Sequence, residues 1–179
     1  MCAKVIENFC IIVYYDKMAN ISKLLNYNQI EIEPTNLCNY SCTICPRPTE
    51  TGFMSLDTFS KIFIEKTIPK NIKAIYFTGY GEPLLNPSTP TFIKLLNQKY
   101  PEIDIVLVTN GSLLTEETSR KLLTVWLTKL RISFLMQGTK FETYKTTMNG
   151  LTHDKVIKNV EKLVSLKKEL KSKTKIIVK

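Results

Sequence analysis

Three cysteines fall between Cys38 and Cys45, in the stretch CNYSCTIC, in a chain that contains five. Their spacing is CxxxCxxC. Where thiols stay reduced, cysteines at short spacing bind metal more often than they pair with each other. Thiolates are soft ligands that suit zinc and iron–sulfur clusters. A structural zinc site closes its sphere with four protein ligands, and a cluster held by four cysteines is closed as well and passes electrons. Three thiolates imply either a further ligand elsewhere in the chain or a position left open. An open position on a metal is where a small molecule binds and chemistry starts. On spacing alone, zinc and chance clustering stay in contention. Cys2 and Cys10 read as plain thiols, Cys10 within an apolar run.

Two other short stretches gain weight from where they fall. FTGYGEPLLNP places Gly79, Gly81, Glu82 and Pro83 after a β-rich run, and LVTNGSLLT places Thr109 and Asn110 after another. Taken alone, each is only a turn signal. Glycine permits close backbone approach to a ligand, and exposed carbonyls beside Glu82 suit an ammonium group. His153, the single histidine, falls in the first turn of a helix and reads as a solvated or capping residue. No Ser/His/Asp arrangement and no phosphate-binding P-loop occurs, so hydrolase and nucleotidase readings find no support.

These residues need a frame, and the chain supplies an alternating one. QIEIEP alternates polar and apolar residues and reads as a strand broken by Pro34. In SLDTFSKIFIEK, Ser55 reads as an N-cap, with Leu56, Phe59, Ile62 and Phe63 on one helical face. IKAIYFTG is the next strand, and STPTFIKLLNQKY opens with a helix-start signal at Ser88, Thr89 and Pro90. IDIVLVTNG is followed by TEETSRKLLTVW, where Thr115 caps the helix and Glu116 and Glu117 face its positive end. Trp126 is expected to continue the packed face of Leu122 and Leu123. KLRISFLM, a long amphipathic helix capped by Thr152, and KTKIIVK complete the series. Strand–helix–strand alternation predicts a parallel sheet with right-handed crossovers. The unusual residues all follow strands, the end at which barrels and open α/β sheets build their sites.

EPTNLCNYSCTICPR resembles the cluster loop of the radical S-adenosylmethionine (SAM) enzymes, with Ile44 at the apolar position of their CxxxCxΦC motif. The resemblance runs over about residues 29–179 and implies a partial (βα) barrel of the TIM-like type, shortened after about the fifth strand. It implies a [4Fe-4S] cluster ligated by Cys38, Cys42 and Cys45, with SAM on the remaining iron. Reductive cleavage of SAM would give a 5′-deoxyadenosyl radical that abstracts hydrogen from a substrate. By the same resemblance Gly79, Gly81, Glu82 and Pro83 line the methionine amino group, and Thr109, Asn110 and Gln137 reach the ribose or carboxylate. The spacing is most similar to the peptide-modifying branch with SPASM or twitch domains, so a peptide is the preferred substrate. A reductant such as flavodoxin or ferredoxin is implied. The chain departs from that branch after the fourth strand, with Leu135, Gln137 and Met148 where serine, aspartate and arginine are usual. It also lacks cysteines for an auxiliary cluster. Those departures motivate a second reading: a truncated, non-catalytic iron–sulfur or electron-transfer module, or one half of a split enzyme whose barrel a second chain completes.

Composition sets the remaining bounds. With 179 residues, 44% of them hydrophobic, the chain is long enough for a soluble globular core. Residues 1–28 read as an N-terminal extension and 29–179 as the core domain. The run FCIIVYY is too short to span a bilayer and lacks the flanks of a signal peptide. The expected setting is therefore cytoplasmic, with no membrane partner. Net charge is +9, and from Asp154 onward nine lysines face only Asp154, Glu161 and Glu169. No aromatic residues interleave those lysines, which argues against nucleic acid and for a solvated helix face.

Overall fold

The computed structural model describes residues 4–6, 9–11, 28–42, 45, 51–133, 148–149 and 153–178. A short antiparallel hairpin of β1 (Lys4–Ile6) and β2 (Phe9–Ile11) precedes the main body. Five strands then form one sheet: β3 (Gln29–Ile32), β5 (Ala74–Phe77), β6 (Asp104–Thr109), β7 (Lys129–Ile132) and β9 (Lys175–Val178). They lie side by side in chain order and every pairing is parallel. That order never reverses, so the sheet winds in one direction, as a barrel wall does, and has no doubly wound switch point.

Alternate strand residues decide which face is covered. Ile30, Ile32, Ile75, Phe77, Ile105, Leu107, Leu130 and Ile132 are buried and share one core with residues from the helices. The helices are α1 (Leu56–Phe59), α2 (Thr89–Lys99), α3 (Glu116–Thr124) and α4 (His153–Glu169). Phe59 stacks on Phe92 at 4.2 Å between ring centroids, which locks α1 to α2. The opposite face carries Glu31, Tyr76, Val106, Val108, Lys129 and Arg131 and is less deeply buried. Among the described residues, no helix is long and apolar enough to cross a membrane.

The expected caps at Ser55 and Thr115 form, each hydroxyl accepting from the backbone N–H three residues on. The Thr152 cap lies outside the described residues. Two packing expectations fail. After Phe59 the helix widens into a π-turn over Ser60–Ile64. Phe59 and Phe63 stay inside, while Leu56, at the first residue of α1, is 45% exposed. Trp126 is 71% exposed and not packed beside Leu122 and Leu123. The helix stops at Thr124 and Val125 is extended, so Trp126 falls off the helical periodicity. The terminal lysine-rich helix behaves as a solvated face: Val156, Leu163 and Leu166 turn inward while Lys155, Lys158, Lys162 and Lys168 are exposed.

Candidate active site at the strand ends

The segment that leads into the cysteines is held from three sides. Past β3, Glu33, Pro34 and Thr35 are buried. Thr35 donates its hydroxyl to Gly52 O at 2.6 Å and accepts from Leu37 N at 3.1 Å. Asn36 Oδ1 accepts from Gly52 N, and Met54 N donates to Pro34 O. Asn86 then ties two strands of chain together, donating to Pro34 O at 2.8 Å and to Met54 O at 2.9 Å. The loop therefore starts from a fixed base, which a ligand set of three side chains requires.

Cys38, Cys42 and Cys45 are half-buried, none is in a disulfide, and all three border a single pocket with Asn36, Leu37, Tyr40, Thr51 and Tyr80. Cys42 belongs to a two-residue strand, β4 (Ser41–Cys42), whose antiparallel partner is β8 (Met148–Asn149). The register puts Met148 directly opposite Cys42. Among the described residues, no three His, Cys, Asp or Glu side chains converge on a point where one ion could sit. Thiolates lining one pocket suit a soft metal centre. Ile44 and Gln137 lie outside the described residues.

The glycine loop after β5 comes up beside this pocket through Tyr80. Its shape depends on a residue that the sequence reading passed over. Glu33 Oε1 accepts from Tyr80 N and, at 3.1 Å, from Gly81 N. Gly79 has φ +148°, and a Cβ there would lie 2.3 Å from Glu33 Oε1. A Cβ on Gly81 would lie 2.0 Å from Thr35 O. Both positions thus require glycine for close approach, and Gly79 for its backbone conformation as well. Burial pushes the Glu33 carboxyl above its ordinary value, and the two N–H donors pull it back.

Glu82 directs its carboxylate inward. It is 2% exposed; Oε1 accepts from Thr109 Oγ1 at 2.7 Å and Leu84 N at 3.1 Å, and Oε2 accepts from Asn110 N at 2.7 Å. Burial raises its pKa, opposed by the bonds from Asn110, Thr109 and Leu84. Pro83 is buried at the start of a short 3-10 turn, Pro83–Leu85. Glu82 therefore joins the loop after β5 to the loop after β6. Thr109 is spent on Glu82 and on Gly111 N. Asn110 enters a closed triangle: its Nδ2 donates to Asn39 Oδ1, Asn39 Nδ2 donates to Ser112 Oγ, and Ser112 Oγ donates to Asn110 Oδ1. From behind, Asn159 of α4 donates to Gly111 O and Ser112 O. The three loops are one hydrogen-bonded unit, and Asn39, the residue after the first cysteine, links the loop after β6 to the cysteine loop, as Glu82 N to Leu37 O links the loop after β5.

A sheet wound in one direction, with three thiols at one strand end and a glycine loop beside them, defines a metal-dependent enzyme class. The radical SAM superfamily model matches residues 32–178, and the chain belongs to that superfamily. Its members use a [4Fe-4S] cluster and SAM. The chain is 29% identical over 154 residues to the GTP 3′,8-cyclase of Campylobacter jejuni subsp. doylei, covering 82% of this chain and 46% of that protein. It is 30% identical over 144 residues to the tungsten-containing aldehyde ferredoxin oxidoreductase cofactor-modifying protein of Pyrococcus furiosus, covering 78% and 39%. The chain thus spans less than half the length of these relatives. Among solved structures, anSMEcpe with bound AdoMet and a peptide aligns with a TM-score of 0.59 at 22% identity, covering 83% of this chain and 42% of that one. BtrN in complex with AdoMet and 2-DOIA aligns at 0.57 and 21% identity, covering 85% and 56%. At that identity the likeness speaks to the fold.

Proposed function

We propose that the chain carries the SAM-cleaving core of a radical enzyme acting on a small molecule. The observation that carries this reading is the single pocket bordered by Cys38, Cys42, Cys45 and Tyr80 at the ends of the parallel strands. The three thiols would ligate a [4Fe-4S] cluster, with Ile44 the apolar member of their motif. When bound, the reduced cluster supplies the electron that cleaves SAM. The backbone around Gly79, Gly81 and Pro83 would take the methionine ammonium through its carbonyls, because the Glu82 carboxylate is already committed inside. Glu82 and Thr109 act as positioning residues, while Asn110 and, by its place in the motif, Gln137 would serve the ribose or carboxylate. Ser133, whose N–H donates to Thr109 O at 2.8 Å, stands at the matching end of β7.

The two relatives named above support a nucleotide or cofactor-like substrate over a peptide, since the peptide preference rests on loop spacing and the peptide-bound structure is alike in fold alone. The core extends over residues 29–179, with 1–28 as an extension ahead of it. A flavodoxin or ferredoxin in a reducing cytoplasm would deliver the electron. The sheet edge at β9 is the place where further barrel wall, from a longer chain or a second one, would pair. Anaerobic reconstitution, dithionite reduction and chromatography for 5′-deoxyadenosine test the reading. The expected result is 5′-deoxyadenosine from SAM, lost in Cys42→Ala. A full cluster without that product would instead support an iron–sulfur binding module.

A further inference from the structure

Arg131 is a charged residue on the inner face of the sheet, the face turned away from the helices. In register it stands between Val108 of β6 and Ile177 of β9, two residues before Ser133 at the strand end. Its Nε is sealed from solvent and has no hydrogen-bond partner. None of the ion pairs among the described residues includes it. Lys129, the next cation on that face, is already paired with Asp104 at 3.1 Å.

Buried polar groups are satisfied as a rule, and each exception needs a reason. Arg131 is half-buried as a residue with its Nε–H inside, and a guanidinium cannot shed its charge to escape the cost of an unmet donor there. Its planar fork matches the two oxygens of a carboxylate or phosphate. Val108 and Ile177 flank it with apolar surface, which strengthens any ionic contact made there. In barrel folds the substrate is reached from the strand ends, one layer above Arg131. We propose that Arg131 anchors an oxyanion of the substrate, a phosphate or a carboxylate, on the inner face of the sheet below the cysteine pocket. The inference rests on the reading that substrate enters at these strand ends.

The chain has three arginines, Arg47, Arg120 and Arg131, so the Nε–Hε region of a nitrogen-15 spectrum of the full chain is simple. Arg131→Lys assigns the third signal by its loss. The cluster-free protein is titrated separately with pyrophosphate, N-acetylaspartate and SAM. The expected result is a saturable shift of the Arg131 signal alone, with pyrophosphate indicating a phosphate-bearing substrate and N-acetylaspartate a carboxylate. Arg131→Met should weaken that binding at least tenfold by calorimetry; if it fails to fold, Arg131→Lys should weaken it by a smaller factor. No shift with either anion overturns the proposal, as do equal shifts of all three arginines. A saturable shift with SAM alone also overturns it, because Arg131 would then serve the cofactor. Anion binding in a protein that takes no cluster would sink the radical-enzyme reading and leave this site standing. A protein that cleaves SAM but shows no shift would do the reverse.

Discussion

Replacing Gly81 with alanine places a methyl group 2.0 Å from the carbonyl oxygen of Thr35 and 2.7 Å from that of Leu37. Real Cβ atoms essentially never come closer than 3.0 Å, so the two loops must separate by about an ångström. The obstacle is backbone and not a flexible side-chain end, so no rotamer change relieves it. Separation stretches two bonds, Glu82 N to Leu37 O at 2.8 Å and Gly81 N to Glu33 Oε1 at 3.1 Å. Overpacking costs about 1–3 kcal/mol, and each lost hydrogen bond about 0.5–1.5 kcal/mol. The sum is roughly 2–6 kcal/mol, a large part of a typical stability of about 5–15 kcal/mol. At about 2–4 °C per kcal/mol for a chain of this size, Tm should fall by roughly 4–24 °C. Calorimetry of the cluster-free protein measures that fall, and iron per chain after anaerobic loading measures the effect on Cys38, which follows the displaced segment directly. A Gly81→Ala protein that melts within about 2 °C of the parent and loads iron fully would refute the claimed close approach.

Three further outcomes follow from other contacts. Phe59→Ala removes a ring stacked on Phe92 and should cost about 3–5 kcal/mol in urea unfolding. Asn39→Ala opens the triangle with Asn110 and Ser112; stability should drop by only about 1 kcal/mol, while SAM binding by the loaded protein weakens. Glu82 has a pKa raised in the folded state by burial, so its contribution is fully present below the unfolded value of 4.5 and is lost as pH rises through the raised value. The Tm advantage of the parent over Glu82→Gln should therefore be largest near the acid end and shrink as pH rises; growth with pH would contradict the assignment.

The parallel sheet was legible because β-rich runs alternate with amphipathic helices, two of them with caps at Ser55 and Thr115, and local patterns of that kind survive into the fold. The cysteine loop, the glycine loop and Thr109–Asn110 were legible for the same reason: each sits at a strand end. What could not be read is how those loops hold one another. Glu33 meets Tyr80 and Gly81, 47 and 48 residues away, and Asn39 meets Ser112 at a separation of 73. Asn159 reaches back to Gly111 from the inward face of α4, among Val156, Leu163 and Leu166. Such pairings leave no periodic trace. Glu33 left a faint one, a carboxylate just past an alternating strand and before Pro34. Glu82 and Thr109 were picked out as ligand-facing residues, yet a single sequence cannot say which way a buried carboxylate turns. Trp126 was misplaced because the helix stops at Thr124, with Val125 already extended, and the helical pattern does not mark that stop.

The central claim is that three thiolates leave one iron open and that SAM fills it. Electron paramagnetic resonance of the anaerobically reconstituted, reduced protein, recorded with and without SAM, tests it most directly. The account predicts a reduced-cluster signal that changes shape when SAM is added and disappears when Cys38, Cys42 and Cys45 are all replaced by alanine. A cluster signal indifferent to saturating SAM would contradict it.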